Sequence, residues 1–313
     1  VNLSHSDILV RTELVAVLVA VNQGQPRVLT TSQGRCLPAG PLENTHHSLQ
    51  MGLRAWVETQ THHPIGYVEQ LYTFADRSRF SAAGERIISV SYLGLTREGD
   101  TPKDAGVSWQ DWYRYFPWED WRQGEPALIH DYIYPKLQAW AAEDSTLQPE
   151  RWQRVCYAFG LEGAAWNEDM VLQRYELLFE AKLVPEAQRD SRDDHPGDEG
   201  KLGLPMHYDH RRILATGAAR LRAKIKYRPV VFELMPPEFS LLQLQQAVEA
   251  LAGRGLHKQN FRRLMEQQNL VEEAGGLVSS GAGRPAKLFR FKGDVVLERA
   301  IAGTKLPLAR QAR

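Results

Sequence analysis

PPEFSLLQLQQAVEALAGRGLHKQNFRRLMEQQNLVEEAGGLVSSGAGRPAKLFRFK, residues Pro236 to Lys292, holds two short amphipathic segments separated by glycines. The first segment starts cleanly. Ser240 follows Pro236-Pro237 and stands three residues before Gln243, a capping-box spacing that satisfies two orphan backbone donors. Leu241, Leu244, Val248 and Leu251 then recur near helical spacing and make one apolar stripe. Gly253 and Gly255 end the helix and allow a sharp turn. A second helix is predicted from His257 or Lys258, with Phe261, Leu264 and Met265 as its apolar set. Lys258, Gln259, Asn260, Arg262 and Arg263 fall outside that set.

Two strands are predicted after the helices, Leu270 to Glu272 and Lys287 to Phe291, with a loop between them that holds Gly275-Gly276, Gly281, Gly283 and Arg284. Helix, turn, basic helix and glycine-rich hairpin are the parts of a winged helix-turn-helix in order. Such a module lays its second helix against base edges, where Arg and Gln pair bidentately with guanine and adenine. The expected DNA-binding residues are therefore Lys258, Gln259, Asn260, Arg262 and Arg263 on the helix, with Arg284 and Lys287 at the wing against phosphate or in a minor groove. The alternative is a small helical domain with an ordinary solvated basic face.

Charge is divided along the chain. The 313 residues carry 38 Lys+Arg and 38 Asp+Glu. From His207 onward there are 19 basic against 9 acidic residues, a net of +10, so Val1 to Met206 holds 19 against 29, a net of −10. A basic module on an acidic one fits a nucleic-acid contact confined to one end, with salt-sensitive affinity. RNA is a weaker alternative partner. A membrane surface is weaker still, because the basic helix intersperses Gln and Asn and lacks a broad apolar face. No run approaches the roughly 20 apolar residues of a membrane span, and the N-terminal segment reads as a strand, not a signal peptide. Cys36 and Cys156 form no CxxC pair, which points to a reducing compartment and no structural zinc.

Toward the N-terminus, strands are predicted at Thr12–Val21, Arg27–Thr31, Tyr67–Phe74 and Arg86–Leu95, with a helix over His46–Gln60. The segment LPAGPLE, Leu37 to Glu43, and the helix after it resemble the Nudix box, G-x5-E-x7-R-E-U-x-E-E-x-G-U with U a large apolar residue. Counted from Gly40, the box positions are His46, Arg54, Ala55, Trp56, Glu58, Thr59, Thr61 and His62. Nudix hydrolysis needs several carboxylates on one helix face to hold Mg²⁺ against a diphosphate. Glu58 alone remains of that acidic set, so the resemblance implies a retained fold and a lost hydrolase, with no catalytic and no metal-binding residue assigned. Arg35, Arg54, Glu58 and Arg86, near the box and its neighbouring strands, are the expected effector contacts. Arg54 and Glu58 also have the spacing of an i, i+4 ion pair. His46-His47 and His62-His63 make a weak metal signal, since adjacent histidines on a helix diverge.

Trp109–Val184 reads as helical and Trp-rich, with helices at Ala127–Glu143, Pro149–Phe159 and Asn167–Lys182, the last capped by Asn167. Its aromatics are expected in core or dimer packing more than on bases. Val184–Lys201 is charged and should be a mobile linker or loop. His207–Lys226 reads as one long helix whose Arg220, Arg222, Lys224 and Lys226 add to the basic side.

The motifs LPAGPLE, LYTFAD (Leu71 to Asp76), YDHRRIL (Tyr208 to Leu214), KYRPVVFELMPPEF (Lys226 to Phe239), LHKQNFRR (Leu256 to Arg263) and GRPAKLFRF (Gly283 to Phe291) together resemble the Nudix-related transcriptional regulators of the NrtR type. The resemblance implies an α+β chain: a Nudix-like α/β/α sandwich with a helical insertion, then a C-terminal winged helix-turn-helix. The expected limits are 1–103 for the Nudix-like core, 104–200 for the insertion, 201–226 for a connecting helix and 227–313 for the winged helix. It further implies a bacterial, cytoplasmic, homodimeric repressor of NAD-related genes. That repressor would bind a palindromic double-stranded operator, sense ADP-ribose or a similar nucleotide, and require no cofactor. An active Nudix pyrophosphatase with a basic accessory domain is the alternative. Asp104 to Gly200 falls outside the compact form of that family.

Overall fold

A computed structural model describes residues 9–61, 65–75, 84–99, 106–187, 200–278 and 285–292. The core of the N-terminal half is a mixed sheet built on β1 (Val10–Asn22), β2 (Gln25–Thr30), β3 (Ala39–Pro41), β4 (Tyr67–Phe74), β5 (Arg86–Leu95) and β6 (Ser108–Asp111). The strand order is β4-β5-β1-β2-β6, with β3 also on β1. β1 and β5 run parallel and the other pairs antiparallel.

β1 reads as a continuous apolar run because both of its faces are covered. Leu14, Ala16, Leu18 and Ala20 face α1 (Leu49–Thr61), meeting Leu53 and Val57. Val15, Val17 and Val19 join the opposite core with Ile213, Leu214 and Leu221 of α5 (His210–Ile225). The predicted sandwich is therefore present, and the strand alternation that builds it is hidden in the sequence by the absence of polar residues.

Residues 106–187 contain more than helices. They open with β6, hydrogen-bonded to β2 from Arg27↔Asp111 to Thr30↔Ser108. Two short 3-10 turns, Trp112–Arg114 and Pro117–Glu119, follow. Trp112, Tyr115, Phe116 and Trp118 are all buried in the main core, which removes these aromatics from any base-stacking role. Then come α2 (Tyr134–Ala142), entered through a wider π-helical turn at Ile129–Ile133, α3 (Gln148–Phe159) and α4 (Val171–Glu180). α4 starts later than predicted. Asn167 accepts from Asp169 N at 3.1 Å in the turn ahead of it and does not cap the helix. The predicted linker also begins inside folded structure. Val184 and Ala187 are buried, and Glu186 accepts from Met206 N at 2.9 Å; residues 188–199 lie outside the described residues.

The C-terminal unit is β7 (Phe239–Ser240), α6 (Leu241–Ala252), α7 (Lys258–Gln268), β8 (Val271–Val278) and β9 (Ala286–Phe291), with sheet order β7-β9-β8. α6 has the expected capping box: Ser240 Oγ accepts from Gln243 N at 3.2 Å, and Gln243 Oε1 accepts from Ser240 N at 2.8 Å. β8 is longer than predicted. Gly275-Gly276, expected in the wing loop, lie within the strand, where pairing with β9 shifts register between Glu273 and Leu277. Such a bulge lets a strand continue through residues that usually end one. Leu244, Val248, Leu251, Phe261 and Met265 share one core with Val17, Val19 and Val28 of the N-terminal sheet.

Candidate nucleic-acid interface

α7 buries Phe261 and Met265 and turns the opposite side outward. Lys258, Gln259, Asn260, Arg262 and Arg263 are all exposed, and none of the three cations forms an ion pair with another described residue. The helix is set at a defined angle by the turn before it. Inside that turn, Glu249 Oε1 accepts from Leu256 N at 2.8 Å, and Gln245 Nε2 donates to Leu256 O at 3.0 Å.

The turn is also gripped from outside. Tyr113 OH donates to Ala250 O at 2.7 Å, Arg222 Nε to Leu251 O at 2.9 Å, and Trp121 N to Gly253 O at 2.6 Å. Gly253 has φ +71, and a methyl there would overlap Glu119 O, so both the conformation and the space call for glycine. Tyr113, Glu119 and Trp121 all lie within residues 106–187. Sequence periodicity located the turn but carried no sign of these partners, more than 100 positions away.

The wing carries two exposed cross-strand ion pairs, Lys287–Glu273 at 2.6 Å and Arg290–Glu272 at 2.5 Å. Exposed pairs of this kind are worth roughly 0–1 kcal/mol, so Lys287 can leave Glu273 for a phosphate at little cost. Arg284 lies outside the described residues.

The basic residues of α5 behave differently from expectation. Arg222 is buried and pairs with Glu119 at 2.5 Å; Lys224 pairs with Glu69; Lys226 meets Glu168 at 3.1 Å and Asp169 at 2.7 Å; Arg220 lies 3.8 Å from Glu69. They do not form a free basic side. Buried or half-buried cations need counter-charges to offset lost hydration, and the acidic N-terminal half supplies them. α7, by contrast, keeps Lys258, Arg262 and Arg263 exposed and outside any ion pair with another described residue.

In the Nudix-like half, the loop and helix of the box are held together without carboxylates. Trp56 packs over Gly40 so closely that a Cβ there would overlap the indole. Trp56 Nε1 donates to Pro41 O at 2.6 Å, and Gln60 Nε2 to Ala39 O at 2.7 Å. Arg54 does not pair with Glu58. Its guanidinium instead donates to Ile65 O and, at 2.9 Å, to Gly66 O, tying α1 to the start of β4. Glu58 is exposed. His46 Nδ1 accepts from Glu43 N at 3.1 Å, a local turn contact; His62 and His63 lie outside the described residues. With His46, Ala55 and Thr59 at box positions for acids, this donor set does not fit a Mg²⁺-diphosphate centre.

The four expected effector contacts do not converge. Arg54 stands by Gly66, next to Tyr67, which pairs with Leu95 at one end of β5. Arg86 opens the other end, donating to Ala75 O at 2.8 Å. Nine residues of strand separate them, about 30 Å. Arg35 is exposed on the segment leading to β3, and its carbonyl accepts from His207 N at 2.8 Å. Only Arg54 and Glu58 share an element.

Residues 231–291 match the family model described as the NrtR DNA-binding winged helix domain. That match is confined to the C-terminal module. A curated relative, the ADPR responsive transcriptional repressor NtrR of Acinetobacter baylyi (strain ATCC 33305 / BD413 / ADP1), is 40% identical over 93 residues, which span 30% of this chain and 37% of that protein. The chain thus matches little more than a third of that relative's length. The crystal structure of Shewanella oneidensis NrtR complexed with a 27mer DNA superposes with a TM-score of 0.55 at 20% identity, covering 91% of this chain and 95% of that one. A second crystal structure of Shewanella oneidensis NrtR gives 0.54 at 20% identity, with the same coverage. Over 91% of its length the chain therefore shares the fold of those two structures.

Proposed function

We propose that this chain is a DNA-binding transcriptional repressor whose Nudix-like domain senses ADP-ribose or a related nucleotide and does not hydrolyse it. The observation that carries the reading is α7. Its outward residues are Lys258, Gln259, Asn260, Arg262 and Arg263, its cations have no ion-pair partner among the described residues, and it lies in the stretch that matches the NrtR winged helix model. Lys287 and Arg284 on the wing add phosphate contacts. The curated relative's name, an ADPR responsive repressor, supports the choice of effector. The reduced carboxylate set supports sensing without turnover and without a required metal or cofactor. The protein acts in the bacterial cytoplasm as a homodimer on a palindromic operator, with half-sites about one helical turn apart. Effector binding changes DNA affinity only through different affinities for the two protein states. Arg35, Arg54, Glu58 and Arg86 remain the residues to test for effector contact, with Arg54 and Arg86 at opposite ends of β5.

The test is selection of bound duplexes from a random pool, followed by anisotropy titration with and without ADP-ribose. A preferred palindromic site whose affinity shifts with ADP-ribose is expected. Failure to enrich any duplex would sink the repressor reading. Mg²⁺-dependent cleavage of ADP-ribose that is lost in Glu58→Gln would replace the sensor with a pyrophosphatase.

A further inference from the structure

The insertion contains a cleft that neither DNA reading nor nucleotide sensing uses. It encloses about 470 Å³, within the range of about 300–1,000 Å³ typical of small-molecule sites. Its wall is aromatic: Trp121, Tyr134 and Trp166. The Trp121 and Trp166 rings lie 4.2 Å apart at 31°, and the Arg174 guanidinium sits 3.7 Å from the Trp166 ring centroid. Arg174 is in turn fixed by the buried Glu119 at 2.5 Å, so the wall is preorganised from behind. The remaining polar lining is Glu125, Glu162 and His130, with His130 Nε2 3.1 Å from Glu125 Oε1. Glu162 Oε1 accepts from Trp152 Nε1 at 3.0 Å, which orients the carboxylate. No lysine or arginine lines the cleft among the described residues.

Trp166 is filled on its two faces by Trp121 and Arg174, which leaves the Trp121 and Tyr134 rings beside two carboxylates, and that pairing favours a positive charge on an apolar body. The ring quadrupole attracts the cation, and the carboxylates accept charge-assisted hydrogen bonds. The same carboxylates repel phosphate, which separates this cleft from any nucleotide site. We propose that the insertion carries a second small-molecule site, selective for an organic cation such as an aryl-alkyl amine. The site rests on no property of the DNA-reading helix, and its test uses none.

The full chain is titrated by isothermal calorimetry with phenethylammonium, and separately with the anionic analogue 3-phenylpropionate at matched ionic strength. Saturable binding is expected for the ammonium ion alone. It weakens at least tenfold in Glu125→Gln/Glu162→Gln, which alters two exposed side chains and leaves the aromatic wall intact. His130→Arg, also at an exposed position, places a cation at the rim and abolishes binding. Absence of saturable phenethylammonium binding, equal binding of the anion, or unchanged affinity in both variants overturns the proposal.

Discussion

Arg262 and Arg263 differ from the cations of α5 in what they touch. Arg211, Arg212, Arg220, Arg222 and Lys224 all meet carboxylates of the same chain, whereas the two α7 arginines project from an exposed face without one. On the proposed function, replacing either by Ala removes a contact to DNA and no ion pair with another described residue. Each variant is expected to lose about 1–3 kcal/mol of DNA affinity, or to lower the salt slope by about one, depending on whether base or phosphate is contacted. Anisotropy titration across a salt series reads both effects, and the melting temperature stays at the parent value. Unchanged affinity in both variants would show that α7 is not the reading helix. Their exposure was legible in the sequence, because the spacing of Phe261 and Met265 settles which side is buried. The capture of Arg222 and Lys224 was not, because their partners Glu119 and Glu69 lie 103 and 155 positions away.

At the scale of elements, the parts with local signals were the readable ones. α6 announced itself through Ser240 and Gln243, and Ser240→Ala is expected to lower stability by about 1 kcal/mol, measured by urea denaturation. β6 was not legible: four residues beside a run of aromatics carry too short a pattern to separate strand from helix. β8 was cut short in the reading because Gly275-Gly276 look like loop, yet the bulge accommodates them. The turn between α6 and α7 makes the sharper prediction. Ala in place of Gly253 must hold a left-handed conformation costing about 1–2 kcal/mol and displace the Glu119 carbonyl as well. Gly253→Ala is therefore expected to be more destabilising than Ser240→Ala in the same denaturation experiment. A smaller loss than the cap variant would mean that the insertion does not fix the turn.

Across the whole molecule, Glu119 is the junction. It is fully buried between Arg174 of α4, at 2.5 and 2.8 Å, and Arg222 of α5, at 2.5 Å, directly behind the turn that leads to α7. Burial alone would raise its carboxyl pKa, but the two guanidiniums outweigh burial and hold it below the ordinary glutamate range. A carboxylate with a depressed folded-state pKa contributes stability above its unfolded pKa and loses it as pH falls through the folded value. The chain is therefore expected to lose stability as pH drops below the ordinary glutamate range. Glu119→Gln should flatten that acid limb and cost about 3–5 kcal/mol near neutrality, by leaving two buried cations short of a counter-charge. Denaturation curves from pH 7 downward check both parts, and an acid limb identical in the variant would remove Glu119 from the account. Nothing in the local sequence around Glu119 marks it, since the fold alone brings its two arginines together.

The core shared by Val17, Val19 and Val28 with Leu244, Val248 and Phe261 has a consequence for how such a chain diversifies. The winged helix lacks a complete interior of its own, because one wall of it belongs to the N-terminal sheet. Recombination that joined this winged helix to a foreign sensor would leave that wall missing. Substitution on the outer side of α7, which leaves that shared wall intact, is the change this architecture tolerates more readily than exchange of a whole unit.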